Sequence, residues 1–411
     1  MGKTSKELCE LYISYPAAFF VESEGVKDAN VICLRGFCLF DGRGCPKNKA
    51  QALALIQPLL PEIITLANNG DAEAQANLGR ILIQGIGCEK NDSEALLWNR
   101  KAAEHGQIRA QNCLGLCYEN GIGEGKNSAK AAEWYRKAAE QGYAPAQCNL
   151  GVCYKYGNGV EKDLAKAAEW YRKAAEQGDA DAQFNLGRCY ENGNGVEKDF
   201  VMAAEWYGKA SEQGHARAQN NLGVCYKYGN GVEKDLTKAA EWFRKAAEQG
   251  LAAAQCKLGV CYEYGNGVEK DWAKAAEWYR KAAEQGYATA QCNLGWCYRK
   301  GMGVEKDLTK AAELYRKAAE QGDAQAQCNL GVCYEDGNGV EKNLDKAIEW
   351  YRKAAEQGYA VAQSNLYWCY KKKERWLVLQ KWQWRGDGLG QGGRVVPQGG
   401  GTRQCRSAIS T

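Results

Sequence analysis

The stretch that decides the fold is YAPAQCNLGVCYKYGNGVEKDLAKAAEWYRKAAEQG, Tyr143–Gly178. In its first half, Ala146, Leu150, Cys153 and Tyr154 share one face of a helix, the apolar stripe that a helix turns to a core. Gly157-Asn158-Gly159 breaks that helix, because glycine adopts the left-handed conformation of a C-terminal cap without a Cβ clash. Asp163 then supplies an acceptor for the free N–H groups of a second helix, whose positive end also suits a carboxylate. In that helix Leu164, Ala167, Trp170, Tyr171 and Ala174 point inward, and Lys, Arg and Glu point outward. Gly178 closes the unit.

Outward from this stretch the pattern repeats. Closing glycines stand at Gly70, Gly106, Gly142, Gly178, Gly214, Gly250, Gly286, Gly322 and Gly358, always 36 residues apart. Residues 71–358 are therefore eight full units, numbered here from position 1 after each closing glycine. The capping Asp or Asn recurs in all eight: Asn91, Asn127, Asp163, Asp199, Asp235, Asp271, Asp307 and Asn343. Helices this short are marginal alone in water, so each pair is expected to be held by stacking on its neighbours. Residues 1–29 form an N-terminal segment, and 30–70 a degenerate capping repeat carrying Gly36 and Gly42-Arg43-Gly44. Residues 359–384 form a partial repeat and capping helix, in which Tyr367 replaces the usual glycine and Lys371-Lys372-Lys373 replaces the turn. The reading is an all-α solenoid of stacked helix–turn–helix repeats.

The recurring A-x-A-Q-x-x-L-G-x-x-Y, G-x-G-V-x-x-D and K-A-x-x-W-Y-x-K-A-A-E-Q-G, over roughly 70–380, resemble the Sel-one-like repeat family, a relative of the tetratricopeptide repeat. That resemblance implies a right-handed superhelix of antiparallel helix pairs. It also implies adaptor roles: assembling membrane-associated or signalling complexes, quality control in the endoplasmic reticulum, or bacterial host interaction. Reticulum members carry a signal peptide and an anchor. Here Met1–Glu24 has only the brief apolar run Pro16–Val21, and no uninterrupted run approaches the roughly 18 apolar residues of a membrane span. Lys6 spoils a myristoylation pattern at Gly2. A cytoplasmic address is the expectation.

The net charge of +4 makes no demand for a polyanion. The 19 cysteines are too dilute in 411 residues for a disulfide scaffold. Eight occupy position 11, from Cys117 to Cys369, where a buried small hydrophobe is expected. Cys148, Cys256, Cys292 and Cys328 occupy position 6, on the far side of the helix. Two readings stay open for them, packing between neighbouring units (as Phe184 in the same place suggests) or a row of accessible thiols. No metal is expected, since the cysteine spacings are not Cys-x2-Cys and only His105 and His215 are present; both read as surface residues. No nucleophile, base and orienting group break the repeat, so neither enzyme activity nor a cofactor is expected. The Gly-x-Gly turns follow helices and lack the phosphate-loop fingerprints.

A protein or peptide partner is expected along the first helices. Position 7 holds Asn77, Asn149, Asn185, Asn221, Asn293, Asn329 and Asn365. Asparagines in related tetratricopeptide grooves hold a peptide backbone; the alternative is an amide bonded to a neighbouring helix. Position 13 alternates in sign: Glu119, Lys155, Glu191, Lys227, Glu263, Arg299, Glu335, Lys371. Adjacent units are expected to set these unlike charges side by side, at only ~0–1 kcal/mol per exposed pair, and descent from a two-unit duplication also explains the pattern. Tyr156, Tyr228 and Tyr264 at position 14, with Trp296 at position 10, are residue types that dominate interfaces. Two other functions fit parts of the sequence. One is hydrolysis or ligand binding, as in cysteine-rich relatives linked to β-lactams, although no second helix in 71–358 carries the cysteine their intra-unit disulfides use. The other is nucleic-acid or anionic-surface binding through the tail 371–411, which holds nine Lys/Arg against two acids, with Trp376, Trp382 and Trp384. Residues 385–411 are expected to be a glycine-rich, disordered end.

Overall fold

A computed structural model of the chain describes residues 4, 7, 8, 12, 16–42 and 44–386, with side chains described as far as Glu374. These residues fall into two compact units, within 1–278 and 279–411. Both are built from the same 36-residue helix pair. In residues 143–178 the helices are Ala144–Tyr156 and Leu164–Glu176. The corresponding pair in the second unit is Ala324–Asp336 with Leu344–Glu356. The first helix Ala144–Tyr156 packs most extensively on Leu164–Glu176 of its own repeat, and next on the second helix of the repeat before, Ser128–Glu140.

The local signals act as their chemistry requires. Gly157, at φ 76°, donates its N–H to the Cys153 carbonyl and ends the first helix. Gly159 serves the contact between repeats: a Cβ there would lie 2.0 Å from the Ser128 carbonyl oxygen of the preceding repeat. Asp163 accepts from the Lys166 N–H at 2.9 Å and so starts the second helix. All eight predicted caps make this bond, from Asn91 to Asn343. Between the helices, Gly151 lets the Tyr171 ring approach; a Cβ at 151 would sit 2.7 Å from a ring carbon. Ala167, Ala168, Ala174 and Ala175 line the second helix and are buried, whereas Trp170 is half-exposed and lies under the Lys173 ammonium. Burying one large ring contributes about 1.5–3 kcal/mol, and the same ring position is filled in every repeat after the first.

In the first unit, Asp28 caps the helix Ala29–Asp41, so the degenerate repeat begins two residues before the expected boundary. Its second half runs Lys49–Ile56, a 3-10 turn at Gln57–Leu59, then Leu60–Asn68. By length and composition alone, Lys49–Asn68 is apolar enough to cross a membrane, at mean hydropathy 1.4. A search for unbroken apolar runs misses it because polar residues and two prolines interrupt it. Ala52, Ile56, Ile63 and Ala67 are buried, the last three in one core with Leu34 and Phe37. Leu8, Tyr12 and Phe19 of the N-terminal segment are buried there too.

In the second unit the chain enters the helix Ala360–Gly386 and does not turn. With no glycine to break it, the helix runs straight through Lys371-Lys372-Lys373. Tyr367 and Trp368 are left 56% and 60% exposed where earlier repeats would fold a second helix back. The expected tail from residue 387 onward lies outside the described residues.

Candidate functional site

The first-helix residues singled out by the sequence separate into three sets. Position 6 is the first. Cys148, Cys256, Cys292 and Cys328 are 2–6% exposed: of the two readings, packing between neighbouring units is the one the burial follows, and that of accessible thiols is corrected. The side of the helix away from its own partner faces the neighbouring repeat rather than water. Burial pushes the Cys148 thiol well above its ordinary range and that of Cys328 to about 11, the reverse of what a reactive cysteine needs. The position-11 cysteines are buried as expected, and among the described residues no cysteine is joined in a disulfide.

Position 7 bonds to position 6 of the repeat before. Asn149 Nδ2 donates to Asn112 Oδ1 at 3.0 Å, and Lys257 Nζ to Asn220 Oδ1 at 3.2 Å. Where position 6 is cysteine, the amide meets sulfur: Asn185 with Cys148 at 3.9 Å, Asn329 with Cys292 at 3.6 Å, and Asn365 with Cys328 at 3.7 Å. Asn221 accepts from Asn220 of its own repeat, Asn77 is fully buried and donates to Asn30 at 2.9 Å, and Asn293 is half-buried. The alternative reading, an amide tied to the neighbouring helix, is the one the geometry follows. A parallel rung was missed in the sequence: Gln147 donates to the Ala139 carbonyl of the repeat before and accepts from Gln177 of its own. The recurring Ala-Gln and Glu-Gln-Gly carried that signal.

Position 13 was expected to be an outward charge ladder. Its side chains are half-buried up to Glu335, with Lys371 exposed, and the carboxylates reach inward. Tyr135 donates to Glu119 and Tyr207 to Glu191, both at 2.6 Å, and Tyr351 donates to Glu335 at 2.8 Å. The second set is therefore structural in part. Trp296 is likewise half-buried, packed on the core of its own unit.

The third set is open to solvent. Tyr156, Tyr228 and Tyr264 are 60%, 61% and 49% exposed. Lys155 and Lys227 lie 5.0 Å from the rings beside them. His215 is not a plain surface residue: its Nδ1 accepts the Ala218 N–H at 3.1 Å, its Nε2 meets Asp181 at 3.1 Å, and its ring stacks on Phe184. Both ring nitrogens are thus engaged in capping and pairing. Among the described residues, no three His, Cys, Asp or Glu side chains converge as a metal site.

These features define an all-helical repeat protein whose helix pairs pack in tandem. The Sel1 repeat family model matches it nine times, at residues 32–58, 72–107, 108–143, 144–179, 180–215, 216–251, 252–287, 288–323 and 324–359. The chain belongs to the Sel1 repeat family. Among solved structures it is similar to c5321, a protective antigen present in uropathogenic Escherichia coli strains that displays an SLR fold. The identity is 34% over 85% of this chain and 81% of that one, with a TM-score of 0.54. It is also similar to a Sel1 repeat protein from Oxalobacter formigenes, at 35% identity over 75% of this chain and 89% of that one, TM-score 0.55. No curated protein matches the chain.

Proposed function

We propose that this chain is a non-enzymatic scaffold that holds a protein or peptide partner against its first helices, with position 14 as the contact row. The observation that supports this reading is the division of labour just described. Positions 6 and 7 are used between repeats and the position-13 carboxylates within them, while Tyr156, Tyr228 and Tyr264 keep between 49% and 61% of their surface in water. Exposed tyrosines spaced 36 or 72 residues apart on one helical position offer flat apolar rings and hydroxyls at low entropic cost, the composition of interface anchors. Both histidines serve the helices: His215 caps one while its other ring nitrogen meets Asp181, and His105 ends a second helix.

The test is the triple substitution Tyr156→Ala, Tyr228→Ala, Tyr264→Ala, compared with wild type by quantitative proximity labelling in the native organism. All three rings are exposed, so helical content and urea midpoint should stay close to wild type. The set of labelled neighbours is expected to shrink. An unchanged set with an intact fold ends this reading.

A further inference from the structure

A charged constellation occurs twice in the first unit, 108 residues apart, and only one copy is covered. Glu73, Asn77 and Arg80 of one repeat meet Gln107 and Arg109 of the next; Asp181, Asn185 and Arg188 meet His215 and Arg217 at the same spacings. No other repeat from 71 to 358 pairs an acid at position 3 with arginine at position 10.

In the first copy, Glu73 accepts from Gln107 Nε2 at 2.9 Å and pairs with Arg109. Arg109 also reaches Asn77 Oδ1 at 3.4 Å. What fills the space between the arginines is the chain's own Tyr12, which is 1% exposed. Arg80 Nη1 donates to its hydroxyl at 2.8 Å, and the Arg109 guanidinium lies 5.4 Å from its ring centroid. Leu8, four residues earlier, is buried with it. A phenol suits two guanidinium groups because its oxygen accepts from one and its ring face attracts the other.

The second copy has the same frame. His215 holds Asp181 as Gln107 holds Glu73, and both residues also cap their helices, through Ala218 N–H and Ala110 N–H. Here the Asp181 side chain is 78% exposed, Arg217 is exposed and Arg188 half-buried. Among the described residues neither guanidinium has a hydrogen-bond partner; Arg188 lies only over the Phe184 ring, at 5.9 Å. The repeat position of Asp41, which pairs with Arg80 in the first copy, belongs in the second to the exposed Tyr156.

We propose that Asp181, Arg188 and Arg217, with Tyr156 beside them, dock a helix of a partner protein that presents a tyrosine with a leucine four residues before it, as Leu8 and Tyr12 do within this chain. The proposal rests on the first-helix face being the binding face and names the chemistry that part of it selects.

The probe is a fluorescein-labelled peptide of residues 4–22 with Cys9→Ser, titrated into the full chain and followed by anisotropy. Saturable binding is expected, weakened at least tenfold by Arg188→Ala with Arg217→Ala and weakened by Tyr12→Phe in the peptide. The control Lys162→Ala with Lys198→Ala removes the same charge from exposed turns and is expected to leave binding unchanged. No saturable binding, equal binding to the double arginine variant, or equal loss in the lysine control each overturns the site. If the tyrosine triple variant loses its cellular neighbours while the arginine pair leaves the peptide bound, this site falls and the broader reading stands.

Discussion

Repeats 179–214 and 143–178 share most of their sequence but treat one buried hydroxyl differently. In the former, Tyr207 is fully buried and donates to Glu191. In the latter, Tyr171 is as deeply buried, position 13 is Lys155, and the Tyr171 hydroxyl has no partner. In the next lysine repeat, the ring beside Lys227 is Phe243, which has no hydroxyl to satisfy. The alternation at position 13 thus has an interior side: Glu119, Glu191 and Glu335 each accept from a buried tyrosine, whereas Tyr171 and Tyr315, in the repeats of Lys155 and Arg299, keep hydroxyls without an acceptor. A two-repeat duplication would carry such a pair forward as a block. A buried donor without an acceptor costs about 1–3 kcal/mol, more than the ~0–1 kcal/mol of a surface ion pair, so the interior contact is the stronger constraint.

The most damaging way to erase this difference is Glu191→Lys, which makes a glutamate repeat imitate a lysine repeat while keeping Tyr207. The hydroxyl loses its acceptor and an ammonium takes the carboxylate's place, for an expected loss of about 2–3 kcal/mol. Urea midpoints measure it, and hydrogen exchange across Phe200–Glu212 locates it, since repeat arrays open locally. No change in either would mean that the Tyr207–Glu191 bond contributes nothing.

A smaller loss is expected from Tyr207→Phe, about 1 kcal/mol, because Glu191 is half-buried and can turn toward water. The informative variant is the double one. Glu191→Lys with Tyr207→Phe recreates the natural Lys227–Phe243 combination and should recover most of the loss. A cycle in which the two costs simply add would break the proposed coupling.

The third test uses pH. Burial by itself would raise the Glu335 pKa, but hydrogen bonds from Lys372 and Tyr351, with the Lys372 charge, outweigh it and hold the carboxyl below its ordinary value. A folded-state pKa below the unfolded one stabilises the fold at neutral pH, and that contribution disappears as pH falls below about 4. Glu335→Gln should therefore be less stable than wild type at pH 7, with the gap closing on acidification. A gap constant from pH 7 to pH 3 would show that ionisation plays no part.

How much of this could be read beforehand depended on whether a residue acts within its own helix or across to another. The caps at Asn91 to Asn343 and the turn at Gly157 are local, and their chemistry is visible in the residues themselves. The position-11 cysteines followed from helical periodicity. Position 6 stayed open between two readings because a single helix shows which side faces its partner, yet it does not show that the next repeat covers the opposite side. The Glu191–Tyr207 bond spans 16 residues and two helices, so the alternation was visible while its cause was not. The Arg80–Tyr12 contact joins residues 68 apart from a segment outside the repeat pattern, and periodicity carries no information about it.

The smallest expected effect is at Tyr171, and its sign is the sharpest test of the comparison. Removing a hydroxyl normally destabilises a buried tyrosine, because a hydrogen bond is lost. Here there is no bond to lose: the oxygen is buried without a partner, so Tyr171→Phe sheds a desolvated polar group and keeps the ring that packs on Gly151. The expected change is neutral to stabilising by up to about 1 kcal/mol, opposite in direction to Tyr207→Phe. Burial also drives the Tyr171 pKa upward, so the hydroxyl stays neutral and gains nothing from ionising beside Lys155. If Tyr171→Phe and Tyr207→Phe destabilise equally, the hydroxyl of Tyr171 has an acceptor in solution, and the division into glutamate and lysine repeats no longer explains why Phe243 stands where it does.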